Sequence, residues 1–202
     1  MNTADQTGSA VQIRRLTDLV NDVAVPLDIT AQIDAIFFQT ASRTFVDPDQ
    51  RARFRYLWLG QYLDHDADKV HVAIERDRQR DGQQESRGQI RVLGYLVGCW
   101  ENPVTSQRFA SLPFFRDFAA QCRAFPGQLH VNLDAQARSR GIGRRLVDAF
   151  AHQSQAAGVP GIHVVTGQNA RNVQFYARAG FTQQATTGWG GTDVVFLGRS
   201  LV

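Results

Sequence analysis

The sequence predicts a three-layer mixed α/β domain: a mixed central sheet flanked by helices, with a helical insertion between the third and fourth strands. Three observations predict it. Short apolar runs of strand period, such as "KVHVAIER" and "QLHVNLD", recur through the chain. Between them lie longer stretches whose apolar residues return at helical spacing. The second half then reads strand, helix, strand, helix, strand, an order that layers helices on a sheet.

The elements follow in order. Residues 11–17, "VQIRRLT", alternate apolar and polar and form the first strand. Two helices come next. In the first, Ile33, Ile36, Phe37 and Ala41 share a face. In the second, Asp47 caps, Pro48 takes the first helical position, and Phe54, Leu57, Trp58 and Tyr62 form the buried stripe. Strands at 69–76 and 89–100 are separated by the polar stretch 77–88, read as a mobile hairpin loop. The insertion, residues 101–127, carries Phe109, Phe114, Phe115 and Phe118 around Pro113, which predicts a short helix or two packing aromatics. A strand at 128–134, a helix of about four turns opening at "ARSRGIGRRLVDAF", and a strand at 161–167 follow. A short helix within 169–181, stopped by Gly180, and a strand at 192–199 complete six strands.

Composition narrows the function. The 202 residues are 43% hydrophobic and 20% charged, the balance of a soluble globular protein, and no apolar run is long enough to cross a bilayer. Residues 11–202 are read as one domain after a flexible 1–10. That opening stretch lacks the basic and apolar regions of a secretory signal, so a cytoplasmic protein with no membrane partner is expected. The net charge is +3 and Lys69 is the only lysine. The arginine bias does not form a basic and aromatic stripe, so no nucleic-acid partner is expected. Cys99 and Cys122 have no metal-ligand spacing and read as buried thiols; no metal is expected. Asp64, Asp66 and Asp68 read as a solvated loop.

The chemistry centres on "RSRGIG", Arg138 to Gly143, between a strand and an amphipathic helix. A helix start offers unpaired N–H groups and the positive end of the dipole, a seat for phosphate. Gly141 and Gly143 permit unusual backbone angles and close approach of a ligand, and the arginines add positive charge. A P-loop would need four residues between its glycines and then Lys-Ser/Thr; a dinucleotide fingerprint would need a third glycine where Leu146 stands. Neither fits. A tight turn with solubilising arginines is the plain alternative.

The pattern R-x-x-G-x-G at Arg138, Gly141 and Gly143 resembles the coenzyme A pyrophosphate motif of the GNAT superfamily of acyl-CoA-dependent N-acyltransferases. A second motif sits in the family's register: Asn169, Tyr176, Gly180 and Phe181. The likeness spans 128–181. It implies a three-layer GNAT fold and transfer of an acetyl group from acetyl-CoA, the acyl-donor substrate, to a small-molecule or protein amine. In the implied donor site, Arg138, Ser139, Arg140, Gly141, Ile142, Gly143 and Arg144 hold the pyrophosphate. The backbone of Val131, Asn132 and Leu133 holds pantetheine and the acetyl carbonyl, and Asn169 and Tyr176 complete the site. Ala135 and Ala137 depart from the proline and aromatic common just before the loop. The insertion, with "LHVNL" and "GIHVV", is similar to the acetyltransferase-like domain of O-GlcNAcases and its free-standing bacterial relatives.

Tyr176, a phenol of pKa about 10, is the candidate general acid for the thiolate leaving group, with a packed aromatic as its alternative. His130 is the candidate base, sharing a strand face with Asn132 and Asp134; Asp134, Glu101, His163 and a bound water are the reserves. Two rival functions remain: a catalytically silent CoA-binding or protein-interaction module of the same fold, and, last, an arginine-rich nucleic-acid binder. A homodimer is left open.

Overall fold

The computed structural model describes residues 10–22, 28–41, 43–76 and 89–202. The expected flexible lead-in through residue 9 and the expected mobile loop at 77–88 lie outside the described residues. Chain order begins with β1 (Gln12–Arg15), α1 (Leu16–Val20) and α2 (Ile29–Thr40). Next, α3 (Pro48–Arg55) runs through a π-helical turn, Tyr56–Gly60, into α4 (Gln61–His65), followed by β2 (His71–Arg76) and β3 (Ile90–Cys99). Two short helices, α5 (Phe114–Asp117) and α6 (Ala119–Ala124), lead to β4 (Gly127–Leu133), α7 (Ile142–Ala156), β5 (Gly161–Gly167) and α8 (Asn172–Arg178). The chain ends in β6 (Thr182–Trp189) and β7 (Thr192–Ser200).

The seven strands form one sheet in the order β1-β2-β3-β4-β5-β7-β6, antiparallel at every step except β4 to β5. Two differences from the sequence reading have clear causes. β1 stops at Arg15 because Leu16 and Leu19 are buried together on the first helical turn. β6 escaped the reading altogether: "TQQATTGW" is mostly exposed, and an edge strand pairs on one side without the alternating apolar residues that announce a strand.

The sheet separates two apolar layers. Alternation along β7 shows the division, since Val194 and Phe196 join one layer while Val195 and Leu197 join the other. The first layer packs α2, α4 and the β3–β4 connection, with Phe109, Phe114, Phe115 and Phe118 all buried. The second packs α7 and α8 through Leu146, Val147, Phe150 and Tyr176. At the start of α3, the Asp47 carboxylate accepts from the Asp49 N–H at 2.9 Å and Pro48 opens the helix, as their order dictates.

An internal ion pair ties the β3–β4 connection to α4. Arg108 Nη2 lies 2.7 Å from Asp66 Oδ2 and its Nη1 lies 3.2 Å from Glu101 Oε2. Asp66 is 7% exposed and also meets Lys69 at 3.4 Å, so it does not belong to a solvated acidic loop. Removing one partner of a buried pair strands the other, which costs about 3 kcal/mol. Asp66→Ala is therefore expected to lower the urea midpoint by a corresponding amount; an unchanged midpoint would show that Arg108 is solvated once freed.

Candidate active site

The loop between β4 and α7 is built from backbone constraints. The Asp134 carboxylate accepts from the Gln136 N–H at 2.8 Å and starts a turn. Ser139 and Gly141 then take left-handed angles, φ 61° and φ 73°, which bring the chain round into α7. A Cβ on Gly141 would meet nothing within 4 Å, so glycine is there for its angle and leaves open space. Gly143 has a different reason. Its Cβ would stand 3.1 Å from the Phe175 ring and 3.2 Å from Leu133, so glycine there lets α7 dock against β4 and α8.

No side chain caps α7. The first-turn N–H groups of Ile142, Gly143 and Arg144 have no intrahelical acceptor, and these residues line a cleft of about 330 Å³ beside Ser139 and Arg178. The arginine crowd of the sequence is largely engaged elsewhere. Arg140 pairs with Glu75 at 3.0 Å and Arg145 donates to the Val11 carbonyl at 2.9 Å. Arg144 lines the cleft while its Nε holds Asp148 at 2.6 Å and its Nη1 the Arg178 carbonyl at 2.9 Å. Arg138 is exposed and has no ion pair among the described residues. Arg178 was missed by sequence reading, though it follows Phe175 by one helical turn and so shares the face that meets the cleft.

Beside this loop the sheet opens. β4 and β5 pair only at Gly127 with Ile162 and Gln128 with His163. The Asp134 N–H donates to the Leu93 carbonyl at 3.0 Å. By antiparallel alternation His130 and Asn132 also turn their amides to β3, and Val131 and Leu133 turn theirs to the gap. Asn132 thus offers the gap no backbone N–H, contrary to expectation, and its side chain donates to the Tyr95 hydroxyl at 2.8 Å. Tyr176 fills the gap from α8. It is 2% exposed, its hydroxyl shares a hydrogen bond with the Val131 backbone, and burial pushes its pKa up, so the phenol keeps its proton. Asn169 is exposed on the β5–α8 loop, does not cap α8, and lines a second cleft of about 530 Å³ with Trp189 and Asp193.

His130, on the opposite face of β4 from Leu129 and Val131, does not look into an open polar cleft. Its ring meets Trp58 at 5.4 Å and Tyr62 at 5.7 Å, both edge to face. Burial alone pushes the imidazole down to about 4, with no carboxylate acting on it. The reserves are committed elsewhere: Glu101 to Arg108, Asp134 to its turn. His163 is core, stacked on Phe196 at 4.5 Å with Nδ1 against the Phe125 carbonyl. Cys99 and Cys122 are free and buried, their thiols pushed up to about 11 and about 12, as inert thiols should be.

Residues 91–183, from β3 to the start of β6, match the family model of the acetyltransferase (GNAT) domain. Solved structures align over nearly the whole chain. SsHAT is 21% identical with a TM-score of 0.67, covering 96% of this chain and 99% of that one. A protein of the GNAT family from Desulfovibrio desulfuricans is 17% identical with a TM-score of 0.60, covering 96% and 100%. The fold is the GNAT fold. A third structure, yncA from Salmonella typhimurium with its cofactor acetyl-CoA, is 16% identical with a TM-score of 0.50, covering 97% and 95%.

The GNAT-fold site thus has two unlike sides, an amide-lined cleft with arginines on the α7 side and a carboxylate-poor aromatic group on the α4 side. Among the described residues no cluster of histidine, cysteine and carboxylate side chains is arranged to hold a metal. No helix among them is long and apolar enough to cross a membrane.

Three histidines held below their ordinary value by desolvation, His71, His130 and His163, set a pH dependence. His130 and His163 fall from 6.5 to about 4 and about 3, so across that interval the unfolded chain binds protons that the folded chain refuses. Stability is full above pH 6.5 and is lost as pH falls through the window. The urea midpoint should drop between pH 7 and pH 5, and His130→Gln should drop less. Equal drops would mean that His130 titrates normally in the folded protein.

Proposed function

We propose that this chain is an acetyl-CoA-dependent N-acetyltransferase that passes an acetyl group to an amine by direct attack. The observation that carries the reading is the Tyr176 hydroxyl, buried in the β4–β5 gap at the Val131 backbone, next to a helix start whose N–H groups line an open cleft. The match of residues 91–183 to the GNAT domain and the acetyl-CoA held by yncA support the same donor.

The residues fit that donor. Unpaired amides at Ile142 and Gly143, with Arg144 and Arg178 alongside, suit a pyrophosphate, and the empty space over Gly141 leaves it room. Val131 and Leu133 turn amides to the gap, where they would hold pantetheine and the thioester carbonyl as an added strand is held. Their N–H groups also stabilise the oxyanion formed as the amine attacks. As the C–S bond breaks, Tyr176 gives its proton to the departing sulfur, and the proton lost by the amine nitrogen restores the phenol, leaving no net change on the enzyme. His130 is neutral at working pH and a weak base, so it orients or relays more readily than it abstracts.

A CoA-holding module without catalysis draws support from that weak base. It gives no reason for a phenol at Val131. The aromatic β3–β4 connection supports the subgroup likeness to the O-GlcNAcase acetyltransferase-like domains, on which this chemistry does not depend.

Isothermal titration with acetyl-CoA and CoA tests the donor: micromolar binding is expected, lost in Gly141→Asp, which sets a charge against the phosphates. A well-folded protein that binds neither would sink the proposal. Tyr176→Phe should cut turnover by roughly tenfold or more with acetyl-CoA affinity retained; undiminished turnover would remove Tyr176 as the acid.

A further inference from the structure

Four elements that are distant in sequence converge their aromatic side chains on the α4 side of the gap. Trp58 stands on the π-helical turn between α3 and α4, a distortion that often marks functional positions. Its indole meets His130 of β4 at 5.4 Å and Trp189 at 6.5 Å. Trp189 in turn meets Phe114 of α5 at 5.2 Å. His130 adjoins Val131, whose amide faces the gap, so this group borders the place where an acceptor must arrive.

Trp189 is the exposed member. It is 38% exposed at the tip of the β6–β7 hairpin. Gly188, Gly190 and Gly191 surround it, and a Cβ on any of the three would meet nothing within 4 Å. What holds the tip is Trp189 itself, through its contacts with Trp58 and Phe114. Hairpin pairing sets Trp189 with Thr192 and Gly188 with Asp193, so the tip's carboxylate, Asp193, stands on the other face. Of the nearby carboxylates, Asp34 pairs with Arg55 at 2.8 Å, while Asp117, exposed on α5, accepts from the Thr187 hydroxyl at 2.8 Å and keeps its charge. The four rings themselves carry no carboxylate, and Asp117 stands at their rim, outside the ring-to-ring contacts.

Resting on the acetyltransferase reading, we propose that the acceptor is an uncharged aromatic amine, its ring held against Trp58 with Trp189 closing over it. Rings of this kind favour edge-to-face and offset contacts with a flat aromatic guest. A nitrogen attached to the ring is neutral at physiological pH and needs no base to become nucleophilic, which suits a site whose one imidazole is a poor acceptor of protons. The N–C bond forms, the C–S bond breaks, and one N–H proton ends on the CoA sulfur; no other co-reactant is required.

The test uses the full chain with acetyl-CoA and three amines, 4-ethylaniline, 2-phenylethylamine and hexylamine, following CoA release. 4-Ethylaniline is expected to exceed both others in kcat/KM by roughly tenfold, and Trp189→Ala and Trp58→Phe to raise its KM by about as much, with acetyl-CoA affinity by titration unchanged. With CoA bound, 4-ethylaniline should also quench tryptophan fluorescence in the wild type and less in Trp189→Phe. Equal or better turnover of either alkylamine, or acetyl-CoA binding with no transfer to 4-ethylaniline, overturns the aromatic acceptor and leaves the donor site standing. Failure to bind acetyl-CoA removes both.

Discussion

The parting of β4 and β5 is the constraint from which the rest of the site follows. β5 keeps continuous pairing with β7 from Gly161 to Gly167, yet pairs with β4 at two positions only. At the closed end, side chains are not tolerated: a Cβ on Gly161 would lie 2.5 Å from Phe125 and one on Gly127 would lie 3.0 Å from Ile162. Toward the open end Tyr176 is inserted from α8, and Phe175 and Leu133 pack on Gly143 to fix α7 beside the gap. Backbone N–H groups in a sheet centre are obligatory donors. Opening the sheet turns those of Val131 and Leu133 to the gap, where the Tyr176 hydroxyl meets the Val131 backbone and no neighbouring strand reaches Leu133.

Because the gap passes through the sheet, its two faces can carry different chemistry. On the α7 side, most arginines are spent on structure, Arg140 on Glu75 and Arg145 on the Val11 carbonyl, which fixes the loop without crowding the cleft. Arg144 and Arg178 remain at its wall. On the α4 side, much of the charge is paired: Arg55 takes Asp34, and Arg108 takes Glu101 and Asp66, while Asp117 stays at the rim. The ion pair at Asp66 also holds the β3–β4 connection in place, so that Phe114 can reach Trp189. An anionic donor and an uncharged acceptor can then be handled one residue apart on the same strand.

The parts of this arrangement that were legible in the sequence are those with local causes. Pro48 after Asp47, the glycine loop at a helix mouth, and the apolar alternation of β2, β3, β4, β5 and β7 depend on neighbours in the chain, and local pattern reports them. β6 was not legible because an exposed edge strand carries no burial period. Strand alternation gave the correct face for His130, but its environment comes from Trp58 and Tyr62, and no local pattern reports such partners. Gly143 is legible as part of the glycine motif, but what requires glycine there is Phe175, a residue of a different helix. Arg178 belongs to neither motif, and only its helical spacing from Phe175 points to the cleft.

Burial raises the pKa of Tyr176, which at first weakens it as a proton donor to a thiolate. The comparison that matters is between two groups in one environment. Cys99, buried in the layer on the other face of the sheet, shows the direction in which burial moves a sulfur: its thiol is lifted from 9.0 to about 11. A thiolate released in the gap loses water just as the phenol has, so its proton affinity rises too, and the two acids move together. Desolvation therefore preserves the near match of phenol and thiol while keeping Tyr176 protonated until the C–S bond breaks. The buried phenol and the strand amides around it fit the proposed chemistry, in which the sheet withholds water and Tyr176 supplies the proton.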